Sequence, residues 1–143
     1  MTRRARPCYF SRVEPSPFEE LGGEAELRRI VDRFVDRMFE DVMIGFFFAH
    51  VDRTRLKQRE FEFAARELGA DIEYTGRPIG VAHGARTIFD GQFSRRLKLL
   101  ADTLEEFAVP PRVREHWLSR TRALSDQVVK GPCQPADPSL VPR

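Results

Sequence analysis

The strongest constraint on the fold is an apolar stripe that repeats every three or four residues from Glu24 to about Glu40. The stripe comprises Leu27, Ile30, Val31, Phe34, Val35, Met38 and Phe39. This spacing puts the apolar side chains on one face of an α-helix, and that face must be buried against other elements. No segment alternates polar and apolar residues over the length of a strand, so the sequence predicts an all-α domain.

Turn signals flank this helix on both sides. Ser16 and Pro17 suit the cap and the first position of a one-turn helix, which Gly22-Gly23 ends. On the far side, the apolar segment Val42 to Phe48 ends in three consecutive phenylalanines, which cannot all share one helix face. This segment predicts a tight corner with at least one ring turned into a cavity.

Further helices are predicted after the corner. Asp52 suits the N-cap of a helix from Arg53 to about Leu68. The inward residues of that helix are predicted to be Leu56, Glu60, Phe63 and Ala64. The next helix, 90–107, has an apolar stripe formed by Phe93, Leu97, Leu100 and Leu104. After Pro110-Pro111, a last helix keeps the same periodicity from Val113 to about Lys130.

Length and charge exclude several classes of protein. A chain of 143 residues with 41% hydrophobic residues fits one domain with a buried core. Its 24 Lys and Arg against 22 Asp and Glu leave a net charge of +2, which does not indicate a nucleic-acid partner. The longest apolar run, 42–49, is too short to cross a bilayer. We therefore expect a cytoplasmic protein without a membrane partner.

Both ends of the chain differ in composition from its centre. Residues 1–15 are predicted to be a flexible basic arm, 16–130 the domain, and 131–143 a proline-rich tail. The last four residues, Leu-Val-Pro-Arg, match those before a thrombin cleavage site, so the tail is expected to include a tag remnant. Cys8 and Cys133 lie in these ends without metal-site spacing, and a reducing compartment disfavours a disulfide between them.

His83 is the histidine in the setting best suited to a metal ligand. Pro78 suits the start of a short apolar helix that leads to His83, and Gly84 loosens this helix soon after. Ile88, Phe89 and Phe93 follow as a bulky apolar wall. Because a lone histidine on an apolar face is more often a hydrogen-bonded core residue, these residues leave both interpretations open.

Several short motifs, in this order, resemble the group I truncated haemoglobins. The motifs are FEELGG at 18–23, IVDRF at 30–34, Phe47-Phe48, the LG…YTG loop at 68–76, VAH at 81–83 and FSxxxxxLADTL at 93–104. The resemblance runs from about Phe18 to Val129. It implies a truncated globin fold, a two-over-two helical sandwich around a haem, with His83 as the proximal ligand of haem b.

The resemblance and the spacing together assign further residues to the cofactor. The residues expected to line it are Phe48, which would pack on the porphyrin, with Leu56, Phe63, Ile79 and Phe93. Arg59 and Arg86 are candidates to meet the two propionates. His50 and His116 are not expected to touch the iron.

Besides Ala70, which replaces a glycine of the family's loop, three positions expected near the haem depart from the family pattern. Val35 stands where the family usually has a tyrosine that donates a hydrogen bond to bound dioxygen. Glu60 stands where a glutamine is common, and Arg96 where an apolar or aromatic residue usually covers the haem. Since lone buried charges are costly, Glu60 and Arg96 would pair if both point inward. The alternative is that both side chains reach solvent at the pocket mouth.

These departures leave three functions open. The first is a globin that binds dioxygen, nitric oxide or a related small gaseous or anionic ligand. The second is a haem-dependent redox enzyme, peroxidase-like, peroxygenase-like or biosynthetic, with an organic substrate and a reductase partner. In that enzyme, Glu60 and Arg96 would be catalytic, Glu60 moving a proton and Arg96 stabilising negative charge. The third is a structural or sensing globin with little turnover.

Overall fold

The computed structural model describes residues 14–76 and 87–129. Its helices are α1 Pro17–Leu21, α2 Glu24–Glu40, α3 Arg53–Glu67, α4 Asp90–Glu106, α5 Pro111–Arg122 and α6 Ser125–Val128, with a 3₁₀ turn at Gly45–Phe48. Within these two ranges there is no strand, only an isolated bridge between Ile88 and Val129. The all-α prediction is confirmed. The predicted arm and tail, and the short helix around His83, lie largely or wholly outside the described residues.

The predicted caps form at the starts of α1 and α3. The Ser16 hydroxyl accepts a hydrogen bond from the Glu19 amide at 3.2 Å, and the Asp52 carboxylate accepts one from the Arg55 amide at 2.9 Å. Gly22, directly after α1, has φ = +120°. Residues that carry a side chain rarely adopt this backbone conformation. Short-range hydrogen bonds therefore fix these helix ends as the sequence indicates.

Helix α2 lies at the centre of the core. Its inward residues Leu27, Ile30, Val31, Phe34, Val35 and Met38 are all buried. Helices α3 and α4 both pack on α2, and α5 packs on α4. The domain is thus built from two helix pairs, α2 with α3 and α4 with α5, and α1 closes one side against α2 and α5.

The prediction of which α3 residues face inward is partly wrong. The structure buries Phe61, Glu62, Ala64 and Ala65, whereas Leu56, Glu60 and Phe63 are half-buried. The two sets form neighbouring stripes on the same helix, and the stripe with Phe61 and Ala65 is the one that joins the core. The other stripe is left beside α4 and the loop that follows α3, where Glu60 contacts Arg96 and Phe63 contacts Tyr74.

The last predicted helix is two helices in the structure. Helix α5 ends at Arg122, and the Leu124 amide donates to the Thr121 carbonyl in a tight turn before α6 begins. Helix α6 ends at Val128, because Val129 turns to an extended conformation and bridges to Ile88. The apolar periodicity continues across the break since Val128 is still buried.

The segment after α2 forms the predicted tight corner. A Cβ atom at Gly45 would lie 2.8 Å from the Phe39 carbonyl oxygen, so only glycine allows this close approach. Phe47 and Phe48 pack against the core, and Phe48 stacks on Phe39 with ring centres 5.0 Å apart. Phe46 is 62% exposed, so one ring of the three faces solvent.

Asp41 holds this corner against α4. Its side chain is 4% exposed and accepts hydrogen bonds from the amides of Met43 and Ile44 at 3.0 and 3.2 Å. It also accepts from Nε and Nη2 of Arg95 on α4 at 2.9 and 2.7 Å. The bonds from Arg95 hold the pKa of Asp41 below its ordinary value, although burial acts in the opposite direction.

Replacing Asp41 with asparagine is expected to destabilise the fold by about 1–2 kcal/mol near neutral pH, because charge-assisted hydrogen bonds are lost. The pKa of Asp41 is lower in the folded than in the unfolded chain, so its stabilisation is present above the unfolded pKa and disappears as pH falls below it. Urea unfolding should therefore show a difference between parent and variant that is constant near pH 7 and shrinks below about pH 4.

The matched control is Asp102→Asn, which removes an exposed ion pair with Lys98 on α4. Exposed pairs contribute little, so this variant should unfold like the parent. An Asp41→Asn variant that is as stable as the parent at pH 7 would show that Asp41 does not hold the corner.

Candidate functional site

Glu60 and Arg96 join α3 to α4 through an ion pair. Nη2 of Arg96 donates to both carboxylate oxygens of Glu60 at 3.0 Å. The two side chains are 21% and 27% exposed, and the Arg96 guanidinium lies 5.0 Å from the ring centre of Phe34 on α2. Of the two arrangements that the sequence left open, the structure shows the paired one. Each charge is thereby neutralised by its partner.

A small cavity lies beside this pair. Its volume is about 30 Å³. Besides Glu60 and Arg96, side chains from α2, α3, α4 and α5 line it, among them Phe34, Phe63, Ala64, Leu100 and Trp117. That volume corresponds to roughly one water molecule in the liquid. The pair therefore borders a largely apolar space that fits one small molecule.

A second carboxylate, Glu62, lies on a different side of α3. Its side chain is 6% exposed, and the Thr75 hydroxyl donates to its Oε1 at 2.6 Å. Nη1 of Arg59 donates to its Oε2 at 3.3 Å and also contacts Thr75. Sequence reasoning missed Glu62. The one local signal was the three-residue spacing of Arg59 and Glu62, which is typical of any helix surface.

The residues predicted to line a cofactor are spread over three elements. Phe48 is half-buried in the corner, Leu56 and Phe63 are half-buried on α3, and Phe93 on α4 is buried. The edge of the Phe63 ring meets Tyr74, with ring centres 5.6 Å apart. Burial raises the pKa of the Tyr74 phenol, and the negative charge of Glu60 acts in the same direction.

Three of the predicted site residues, Ile79, His83 and Arg86, lie outside the described residues, so their roles stay predictions. Arg59, proposed for a propionate, contacts Glu62 and Thr75. Its side chain is 33% exposed. This arrangement leaves part of the Arg59 side chain at the protein surface.

The other two histidines lie in different settings. His50 is exposed after the 3₁₀ turn. Nε2 of His116 on α5 lies 2.9 Å from the backbone carbonyl oxygen of Glu67. Among residues 14–76 and 87–129, no group of three or more His, Cys, Asp or Glu side chains is placed to hold a metal ion. A haem needs only one such ligand, so this finding concerns multi-ligand metal sites.

Val35, which stands where the resembled family usually has a tyrosine, is fully buried in the core. Its side chain has no hydrogen-bond donor. A tyrosine here would add a ring to a closely packed site, and overpacking of this kind costs roughly 1–3 kcal/mol.

In the described part of the chain, no helix has both the length and the apolar character needed to cross a membrane.

Comparison with known proteins identifies the class of domain. A family model described as bacterial-like globin matches residues 16–130. The chain is 31% identical over 123 residues to a group 1 truncated haemoglobin of Mycolicibacterium paratuberculosis, which covers 85% of this chain and 90% of the relative.

Solved structures of haemoglobins show a similar fold. The truncated haemoglobin of Tetrahymena pyriformis in its Fe(III) form superimposes with a TM-score of 0.76 at 23% identity, over 80% of this chain and 98% of that one. The haemoglobin of the bacterium Chloroflexus aurantiacus gives a TM-score of 0.73 at 26% identity, over 82% and 99% of the two chains.

Two helix pairs packed in this way make the domain a truncated globin with the two-over-two fold. The chain belongs to the bacterial-like globin family, and its curated relatives are group 1 truncated haemoglobins. Both the predicted fold and the predicted family are confirmed. Truncated globins generally bind haem and small gaseous ligands.

Proposed function

We propose that this protein binds haem b through His83 and binds a small gaseous ligand, dioxygen or nitric oxide, at the iron. Family membership supports this proposal. The other two histidines are poor candidates for an iron ligand, because His50 is exposed and Nε2 of His116 is hydrogen-bonded to the backbone carbonyl of Glu67. We also propose that the protein is cytoplasmic, as expected from the sequence.

The side chains present fit a haem. Apolar side chains come from the corner, α3 and α4, and those that would contact the porphyrin are Phe48, Leu56, Phe63 and Phe93, with Ile79. Arg59 and Arg86 would meet the propionates. When bound, the haem supplies an iron atom with one coordination position open to a small ligand. The protein's part is to hold the iron through His83 and to shape the space around the open position.

The observation that carries the choice of ligand is the Glu60–Arg96 ion pair beside the small cavity. A free guanidinium would favour an anionic ligand. Here the Arg96 charge is neutralised by direct contact with Glu60, so the pair adds polarity without net charge. This arrangement favours a neutral diatomic gas over an anion.

The enzyme alternative, with Glu60 and Arg96 as catalytic residues, is not favoured. The relatives and structures described above are named as haemoglobins, and none of those names points to an organic substrate or a reductase. Binding of carbon monoxide to the dithionite-reduced protein tests the gas-binding proposal directly. A shifted and sharpened Soret band is the expected result, and an unchanged spectrum would contradict it.

The ferrous dioxygen complex is expected to oxidise readily. Val35 cannot donate a hydrogen bond, and loss of one bond to a polarised ligand costs about 1.5–3 kcal/mol. That loss corresponds to roughly tenfold or more in the rate of decay relative to a globin with a distal tyrosine. The measurement is the decay of the oxy spectrum at 25 °C in both proteins.

Val35→Tyr is expected to slow this decay, although its unfolding free energy should be measured alongside because the site is fully packed. An oxy complex that is long-lived in the parent and unchanged in the variant would show that another donor, such as Arg96, serves the ligand.

A further inference from the structure

We propose that the ion pair between Glu67 on α3 and Arg120 on α5 is a latch on the small cavity, a contact that opens when a small neutral molecule such as dioxygen enters. The molecule passes between α3 and α5 rather than between α3 and α4. This proposal goes beyond the proposed function, since the cavity and its ion pairs lie in the described helices. It does not depend on His83 or on the position of the haem.

Two ion pairs border the cavity. Glu60 and Glu67 both line it, and they lie seven residues apart on α3, which places them on the same helix face two turns apart. Glu60 is paired with Arg96 on α4. Glu67 is paired with Arg120 on α5. The remaining walls are buried apolar side chains, among them Phe34 of α2, Leu100 of α4 and Trp117 of α5.

Glu67 is the point at which α5 is fastened to the end of α3. Nε of Arg120 donates to Oε2 of Glu67 at 2.6 Å, and Nε2 of His116 lies 2.9 Å from the Glu67 backbone carbonyl oxygen. Helices α3 and α5 meet over a short stretch. Arg120 lies between Trp117 and Thr121 along α5, and both of these residues line the cavity. Opening of the Glu67–Arg120 pair therefore takes place at the cavity wall.

The Glu67–Arg120 pair is the weaker of the two. The Arg120 side chain is 57% exposed, and ion pairs in such contact with water contribute little stability. Nη2 of Arg96 donates to both carboxylate oxygens of Glu60, and its guanidinium also lies over the Phe34 ring. The α3–α5 side of the cavity is therefore the side expected to open more often.

Trp117 makes this opening measurable. It is the one tryptophan of the chain, it lines the cavity, and it is 5% exposed. Dioxygen quenches indole fluorescence on contact, so its quenching rate constant reports entry into the cavity. Acrylamide is too large for the cavity and reports general loosening of the fold. Fluorescence lifetimes of the ferric protein are measured with each quencher, because dioxygen binds only to ferrous haem iron.

Arg120→Gln and Glu67→Gln are each expected to raise the rate constant for dioxygen quenching roughly two- to fivefold, the effect of one exposed ion pair on an equilibrium. Acrylamide quenching should not change. Added salt should bring the parent towards the two variants, which should hardly respond to it. The matched control is Arg112→Gln. Arg112 is also 57% exposed on α5, but it pairs with Glu14 away from the cavity, so this variant should match the parent.

Dioxygen quenching that is unchanged in both variants would overturn the proposal. Faster quenching in Glu60→Gln without faster quenching in Arg120→Gln would also overturn it, because entry would then lie between α3 and α4. So would an equal rise with acrylamide and a lower free energy of unfolding, since the pair would then only stabilise the fold.

If Glu67→Gln does not fold, Arg120→Gln decides the question, because the Arg120 side chain lies mostly in solvent. A parent protein that binds no haem would refute the proposed function and leave the latch to be judged by the same quenching measurements. A parent that binds haem, with both variants quenched like the parent, would refute only the latch.

Discussion

Replacing His83 with alanine is expected to lower the haem content of the purified protein by at least about tenfold, the scale of effect known for metal-ligand partners. In the proposed site, the bond from the His83 imidazole to the iron is the one covalent link between protein and cofactor. Without it, only the apolar contacts and the propionate partners hold the haem. The haem content is measured by the pyridine haemochrome assay after incubation with one equivalent of haemin.

His50→Ala is the matched control, because His50 is exposed. This variant should keep the haem content of the parent. Added imidazole should restore part of the Soret band to His83→Ala, since it can replace the missing ring. A His83→Ala protein with the parent's haem content and Soret band would exclude His83 as the ligand.

Changing one partner of the Glu60–Arg96 pair is expected to shift the azide affinity of the ferric protein in opposite directions. Glu60→Gln leaves the Arg96 charge unpaired and should raise the affinity by roughly tenfold. Arg96→Leu leaves the Glu60 carboxylate unpaired and should lower it by a similar factor. The double variant should lie near the parent, because neither charge remains. Spectral titration of the ferric proteins with azide measures all four affinities.

Lys98→Leu is the control for a general effect of positive charge on α4, since the Lys98 side chain is 65% exposed and screened by water. It should leave the azide affinity unchanged. If the single variants of Glu60 and Arg96 also bind azide like the parent, the ion pair is remote from the ligand. The same Glu60→Gln protein tests the enzyme alternative, in which the ferric form should react more slowly with peroxide.

The helix starts and the face of α2 could be predicted because they depend on local patterns. Ser16 and Asp52 each cap a helix within three residues, and the α2 stripe has a single apolar face. The inward face of α3 could not be predicted as reliably. Its two neighbouring stripes both contain apolar residues, and only packing on α2 decides that Phe61 is buried more deeply than Phe63.

The candidate site, too, could be predicted from the sequence only in part. The cost of burying a lone charge indicated that Glu60 and Arg96 would pair if both pointed inward, but the sequence left open whether they did, and the structure shows the pair. The burial of Glu62 did not follow from any local pattern, because it depends on a loop whose Thr75 lies thirteen residues further along the chain. The sequence marks Glu62 only as one more glutamate on a charged helix.

The absorption spectrum of the purified protein, recorded before and after dithionite and with the haem content determined alongside, shows whether the protein binds haem. We expect one haem b per chain, a ferric Soret band, and a shift of that band on reduction. A protein that shows no Soret band after reconstitution with haemin, while remaining folded by circular dichroism, would contradict this expectation.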